Sequence, residues 1–286
     1  MKFSIITPTY NRPDLLARCI DSVISQTKDK NNFTVEHIVI NDSPDYYYSE
    51  VENKYKLIDN LIYIKNQYNK GNNYSHNIGL ENVSDNSTHI ILLDDDDWLA
   101  PNSLFKIYEI LSDNKSSIDN KKDMSWIVAN RVLNNGIKLT QNKYNNKIGE
   151  NLKYNIIKVN YFWGYLMDYL FLNRFLNKFS GDTTHIIKKD LALCSKFSKN
   201  VKNGEEWYYF SQLKDTFQYV DIDVTISDGY AADGMTENIK GKYISNTNKL
   251  FKEVIQGNID IYKKSKIIFY LLLRYVNIII KYLATF

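Results

Sequence analysis

The chain has 286 residues, 44% hydrophobic, 14% aromatic and 24% charged, which gives room for one large domain with a sizeable core. That balance excludes a disordered chain, and 11 Gly with 4 Pro exclude a collagenous or low-complexity one. Cys19 and Cys194 make neither a disulfide framework nor a four-thiolate zinc site, and a net charge of +3 is too small to point to nucleic acid.

The opening Met1-Lys2-Phe3-Ser4-Ile5-Ile6-Thr7-Pro8 has too short an apolar run for a signal peptide, so a cytoplasmic protein with reduced thiols is expected. Four short β-branched runs read as buried strands: Phe3–Thr7, His37–Ile40, Leu61–Ile64 and His89–Leu93. Helical patterns follow Pro13, span Tyr74–Asn82 and span Pro101–Leu111. Strand–helix alternation with short links predicts βαβ units on a mostly parallel sheet. Further along, Trp126–Val132 and Ile137–Thr140 flank Asn134-Asn135-Gly136, a hairpin signal. Residues 141–160 are Asn- and Lys-rich and read as a loop, and Tyr161–Phe179 as an aromatic helix. His185–Ile187 reads as a strand and Trp207–Leu213 as a helical segment.

Charge is unevenly spread. From Lys240 to Phe286 nine basic residues face Glu253 and Asp260, a balance of +7, so the rest carries −4. Such asymmetry asks for a partner or a surface.

In a parallel α/β sheet, ligands bind beyond the carboxyl ends of the strands. Polar clusters stand at all four ends: Thr7–Arg12, Asn41–Pro44, Asn66–Gly79 and Asp94-Asp95-Asp96-Asp97. Four consecutive carboxylates raise each other's pKa, and a hard divalent cation with oxygen ligands relieves that repulsion. In an extended segment Asp94 and Asp96 share a face. A second carboxylate pair, Glu205-Glu206, follows Gly204 and precedes an aromatic run. Acidic residues at a helix start suit the dipole, and a glutamate in aromatic surroundings also suits proton abstraction.

These stretches together resemble the family 2 glycosyltransferases. The residues are Ser4–Arg12, Val39–Ser43, Asn69-Lys70-Gly71 with Ser75–Gly79, and Leu92–Pro101, in order over roughly the first 105 residues. Gly204-Glu205-Glu206-Trp207 resembles the family's later acidic-pair motif. The resemblance implies an α/β GT-A nucleotide-diphospho-sugar fold, with a mostly parallel central sheet flanked by helices and a C-terminal helical extension. Residues 1–115 would be the nucleotide-sugar half, 116–240 the acceptor and base half of the same domain, and 241–286 a helical tail.

By that resemblance Pro8, Thr9 and Asn11 border the nucleotide and Asp42 contacts the base. Gly71 and Asn77 belong to the donor site, and Asp94 and Asp95 lie along ribose and diphosphate. Asp96 is the main ligand of Mn²⁺ or Mg²⁺. Glu206 stands at the general-base position with Glu205 as its neighbour. Three residues depart from the pattern: Asn41 for an aspartate, His76 for an arginine, and Glu206 for an aspartate. No histidine follows His185, so the metal contact that a late histidine makes in many relatives is absent or made otherwise. His185 itself, and a turn at Asp233–Thr236, are weaker candidates for the site.

The implied activity is inverting transfer from a nucleotide-diphospho-sugar, UDP favoured, to a glycan or lipid-linked acceptor in bacterial polysaccharide or glycolipid synthesis. A catalytically silent scaffold of the same fold is the rival reading, though intact carboxylates at both motifs speak against it. A sugar nucleotidyltransferase is a third, but Thr7–Arg12 has no glycine to cradle phosphate.

The tail is read from spacing. Lys266, Tyr270, Arg274, Asn277 and Lys281 fall on one helical stripe with apolar residues on the remaining surface. The expectation is an interfacial helix, with that stripe wet and residues 266–286 lying peripherally on the inner membrane face; the alternative is a helix packed onto the catalytic domain or a second subunit.

Overall fold

The computed structural model describes residues 1–283 except 28–31, 45–47, 113–123, 143–153, 155, 167–178 and 230–242. Strands β1 (Lys2–Thr9), β2 (Thr34–Asn41), β3 (Leu61–Lys65) and β4 (His89–Leu92) are all parallel, in the order β3-β2-β1-β4. Their β-branched runs suit strands covered on both faces. In β1, Ile6 points into one core layer while Phe3 and Ile5 point into the other, following the two-residue period. Helix α1 (Pro13–Ser25) starts on Pro13 and lays Leu16, Cys19, Ile20 and Val23 against the sheet. Helices α2 (Ser49–Tyr55) and α3 (Asn72–Glu81) complete the crossovers.

The second half widens the sheet to nine strands. Beyond β4 come β10 (Thr183–Lys188), β6 (Trp126–Leu133), β11 (Thr216–Ser227) and β5 (Asp97–Leu99), with β8 (Ile156–Asn160) also on β11. Here β10 runs antiparallel to both neighbours, and β11 is parallel to β6 but antiparallel to β5 and β8. The central sheet is therefore mixed, parallel through its first half, with helices on both faces. Helix α4 (Ser103–Ser112) packs Leu104, Ile107 and Ile110 beneath it.

The Asn134–Gly136 hairpin forms, with Gly136 at φ +84, and it is short: Lys138 bridges Val132, and Leu133 N and Leu139 N donate to Ile137 O and Arg131 O. On that side β10 holds β6 from Trp126 to Asn130, so only Arg131–Leu133 is left for the arm to pair with. Two expectations are corrected. Within the expected loop 141–160 lies β8, whose Ile157 and Val159 alternate inward beside an Asn- and Lys-rich stretch that masks them. Tyr161–Phe179 is not one helix: Phe162–Leu166 is a single π-helical turn and Phe179 already belongs to a short strand. Residues 167–178, like Asp233–Thr236, lie outside the described residues.

At the end of the chain α7 (Tyr243–Gln256) and α8 (Ile261–Leu283) pack together around Leu250, Val254, Ile267 and Leu271, which also close over Val201 and Tyr208. The polar stripe expected to be wet is the one that faces the domain. Tyr270 and Arg274 are each only 1% exposed, and Lys266 pairs with Asp215 at 2.7 Å. Counter-charges on the body, Glu205 and Asp215, meet that face and allow its charges to leave water. The outer face instead shows Phe269, Leu272, Val276, Ile279 and Ile280, each about half exposed. Among the described residues, no helix is long and apolar enough to cross a membrane.

Candidate active site

The strand order reverses at β1: β2 and β3 lie on one side, β4 on the other. Crevices open at such switch points, beyond the carboxyl ends of the strands. Here that edge is made by Thr9–Arg12 after β1 and by the acidic turn after β4. The turn is closed by a hydrogen bond from Asp97 N to Asp94 O at 3.2 Å. It brings carboxylate oxygens of Asp94, Asp96 and Asp97 within 4.8 Å of one another.

Asp95 goes the other way. It is buried and accepts a 2.7 Å hydrogen bond from Thr9 Oγ1, which ties the acidic turn to β1. Burial pushes its carboxyl up to about 7. Arg12 pairs with Asp96 at 2.9 Å and reaches Asp95 at 3.6 Å. Arg131, from β6, pairs with Asp97 at 2.8 Å and with Asp182 at 3.6 Å. Even so, burial holds Asp97 up at about 8, and burial with repulsion from Asp94 raises Asp96. The arginines offset only part of the crowding. Three converging all-oxygen donors that remain under-neutralised fit a hard divalent cation.

On the donor side Asn11 has φ +57, and its N–H bonds Ser43 Oγ at 2.8 Å. Pro8 lies in the last turn of β1 pairing, opposite Ile40. Both oxygens of buried Asp42 are engaged: Asn66 Nδ2 and Lys70 N donate to one, at 2.8 and 2.9 Å, and Gly71 N to the other at 2.6 Å. Asp42 thus folds the loop that opens α3. Asn41 accepts from Ser43 N and donates to Tyr63, so its amide holds the β2 end where an aspartate would have added charge. His76 is buried, stacked on Phe197 at 4.6 Å, and held down near 4 by burial, so it supplies no cation.

Helix α3 also grips the loop leading to the glutamate pair. Asn73 Nδ2 donates to the carbonyls of Val201 and Gly204, Asn72 N bonds Asn203, and Asn77 clamps the Phe197 backbone on both sides. The chain then turns through Gly204 (φ +75) and Glu205 (φ +67) into helix α6 (Trp207–Ser211). Glu205 and Glu206 point into opposite environments. Glu205 Oε2 accepts from Arg274 at 2.5 Å and from Trp207 Nε1 at 2.6 Å, and Oε1 accepts from Arg274 at 2.8 Å. Among the described residues no side chain holds the Glu206 carboxyl. Burial, then repulsion from Asp94, Glu205 and Asp182, pushes it up to about 7. It therefore stands near the acidic turn as a carboxylate able to accept a proton at neutral pH.

His185 lies behind this surface. It is buried, stacked on Phe210 at 3.9 Å, accepts from Trp126 Nε1 and donates to Thr183, and burial holds it near 3. It packs. Sequence reasoning missed Arg131, Arg274 and Asn73. A lone arginine inside the apolar run Trp126–Leu133 was the available signal for the first, and nothing local marks the other two as partners of the site.

The profile described as "Glycosyl transferase family 2" matches residues 4–172. Glycosyltransferase GlyA of Streptococcus pneumoniae is 31% identical over 117 residues, 41% of this chain and 16% of that protein. A GalNAc(5)-diNAcBac-PP-undecaprenol beta-1,3-glucosyltransferase of Campylobacter jejuni is 37% identical over 106 residues, 36% of this chain and 32% of its own length. The matched stretches thus span less than a third of these relatives. Staphylococcus aureus TarS 1-349 in complex with UDP-GlcNAc superposes with a TM-score of 0.63 at 17% identity, covering 96% of this chain and 72% of that one. The mannosyltransferase PcManGT of Pyrobaculum calidifontis, with GDP-Man and Mn²⁺, gives 0.52 at 13% identity, covering 96% and 73%. These structures share the GT-A fold with it, and the match of a family profile to more than half of its length makes this chain a member of glycosyl transferase family 2.

Proposed function

We propose that the chain is an inverting glycosyltransferase that moves a sugar from a UDP-sugar to a hydroxyl of a glycan or lipid-linked saccharide. The observation that carries this reading is the meeting of the acidic turn and the raised carboxyl of Glu206 at one sheet edge. Asp96 with Asp94 would hold Mn²⁺ or Mg²⁺, and Asp97 would complete the cluster from its place beside Arg131. Such a cation, when bound, would neutralise charge on the diphosphate leaving group. Pro8, Thr9, Asn11, Gly71 and Asn77 shape the rim that receives the nucleotide, with Asp42 and Asp95 ordering its loops.

Glu206 takes the proton from the acceptor hydroxyl, whose oxygen bonds the anomeric carbon while the bond to the diphosphate breaks on the opposite face. Configuration inverts, and no enzyme nucleophile is required. UDP is favoured by the likeness to TarS with UDP-GlcNAc, and a lipid-linked acceptor by the likeness to the Campylobacter GalNAc(5)-diNAcBac-PP-undecaprenol glucosyltransferase. The same reading sets the protein in the cytoplasm, against the inner face of the membrane. Its support is the outer face of α8, where Phe269, Leu272, Val276, Ile279 and Ile280 form one apolar stripe.

The test is a panel of nucleotide sugars given to the purified chain with and without Mn²⁺, reading released nucleotide. Metal-stimulated turnover with one donor is expected. Folded protein that neither transfers nor hydrolyses any donor with any metal would make it a silent module instead.

A further inference from the structure

The cluster around Glu205 joins elements far apart in the chain. Its carboxylate receives both arms of the Arg274 guanidinium, the Trp207 indole N–H and, at 3.5 Å, the Asn246 amide. These donors come from α8, α6 and α7. The Arg274 guanidinium lies 3.8 Å from the centre of the Tyr243 ring and 5.6 Å from that of Trp207, so ring faces cover its flat sides. Both charges are almost wholly out of water, with side chains 1% and 5% exposed.

A buried pair like this is a poor source of net stability. Desolvating two charges offsets most of their attraction, and apolar replacements of similar shape are often neutral or better. What the pair does accomplish is geometric. Glu205 sits at φ +67, a left-handed conformation that is strained for a non-glycine residue and persists only where surroundings over-determine it. Four donors on one carboxylate provide that. With Glu205 drawn toward α8, the next side chain, Glu206, is directed to the other side, toward Asp94 and Asp182.

We propose that Arg274 is a positioning residue for the transfer reaction: by clamping Glu205 it fixes the strained 204–206 turn and so aims the Glu206 carboxylate at the acceptor hydroxyl. This rests on the assignment of Glu206 as the base. It makes α8 part of the active site's support. The groups facing Glu206 are Asp94, Glu205, Asp182 and the phenol of Tyr161, and Arg274 sets the charge behind Glu205.

Two variants of the full chain test it. Arg274→Lys keeps the charge but loses the two-armed grip, and the pair Glu205→Gln with Arg274→Gln removes both charges together, leaving neither buried alone. Both are expected to unfold cooperatively and to keep donor KM within about twofold, while kcat falls about 10–100-fold, since a base displaced by an ångström loses most of its effect. The limb of the pH–rate profile should also move in the double variant, because the negative neighbour of Glu206 is gone. Folded variants with kcat within twofold of the parent would overturn the proposal. So would loss of folding in both, which would make the pair a determinant of the fold alone. A parent protein with no transferase activity would instead sink the underlying reading.

Discussion

Adjacent carboxylates Glu205 and Glu206 differ by one position and have opposite surroundings, one saturated with donors and the other raised by burial. Only the second can act as a base, so Glu206→Gln should lower kcat by about 10²–10⁴-fold while donor binding, read by calorimetry, is kept. The pH dependence follows with a definite sign. A base must be deprotonated, and a carboxyl held at about 7 is mostly protonated at pH 6, so kcat/KM should climb between pH 6 and 8 and then level. A limb near the ordinary glutamate value would exclude Glu206 as the base. At the acidic turn, Asp96→Asn removes one of three converging donors. Mn²⁺ should then no longer raise the melting temperature of the UDP-loaded protein, and transfer should lose its metal stimulation; a variant that responds like the parent would place the cation elsewhere.

Among elements, α3 and the 197–204 loop are joined so closely that glycine is required at their contact. A Cβ on Gly71, at φ +94, would meet Lys202 Cγ at 2.2 Å and Lys202 O at 2.5 Å, whereas one on Gly136 at φ +84 meets nothing within 4 Å. Gly136→Ala carries only the left-handed backbone cost, about 1 kcal/mol. Gly71→Ala adds a backbone clash and should cost clearly more, about 2–4 kcal/mol in urea unfolding, with weaker donor binding as the loop shifts. Equal costs for the two would mean that the α3 contact yields freely. The first four strands and α1, α3 and α4 were legible because their apolar period and prolines are local signals. The short length of the return arm at Ile137–Thr140 was not legible, because it depends on how far β10 already holds β6, and β10 lies about fifty residues away.

Over the whole molecule, the charge asymmetry between a body of −4 and a tail of +7 is answered partly inside the chain, by Lys266 on Asp215 and Arg274 on Glu205. The surface left to α8 is apolar. Replacing Leu272, Val276, Ile279 and Ile280 with serine should leave folding and soluble turnover intact yet reduce flotation with anionic liposomes severalfold; undiminished flotation would show that this face is not the contact, and a parent chain that does not float would remove the membrane from the proposal. Deleting α8 is the less informative change, because it also strips the clamp from Glu205.

The strand ends, the acidic turn and the glutamate pair could be located from the chain alone, because buried strands, oxygen-rich turns and acidic pairs are each written within a few neighbouring residues. Which glutamate faces the acidic turn, and which face of the last helix is buried, could not. Helical spacing correctly grouped Lys266, Tyr270 and Arg274 on one stripe. Periodicity reports which residues share a side, but water or protein beyond that side is decided by what the remainder of the chain offers there. For Arg274 that was a carboxylate 69 positions away. A charge can leave water only where a partner satisfies it, and where that partner stands is a property of the folded chain.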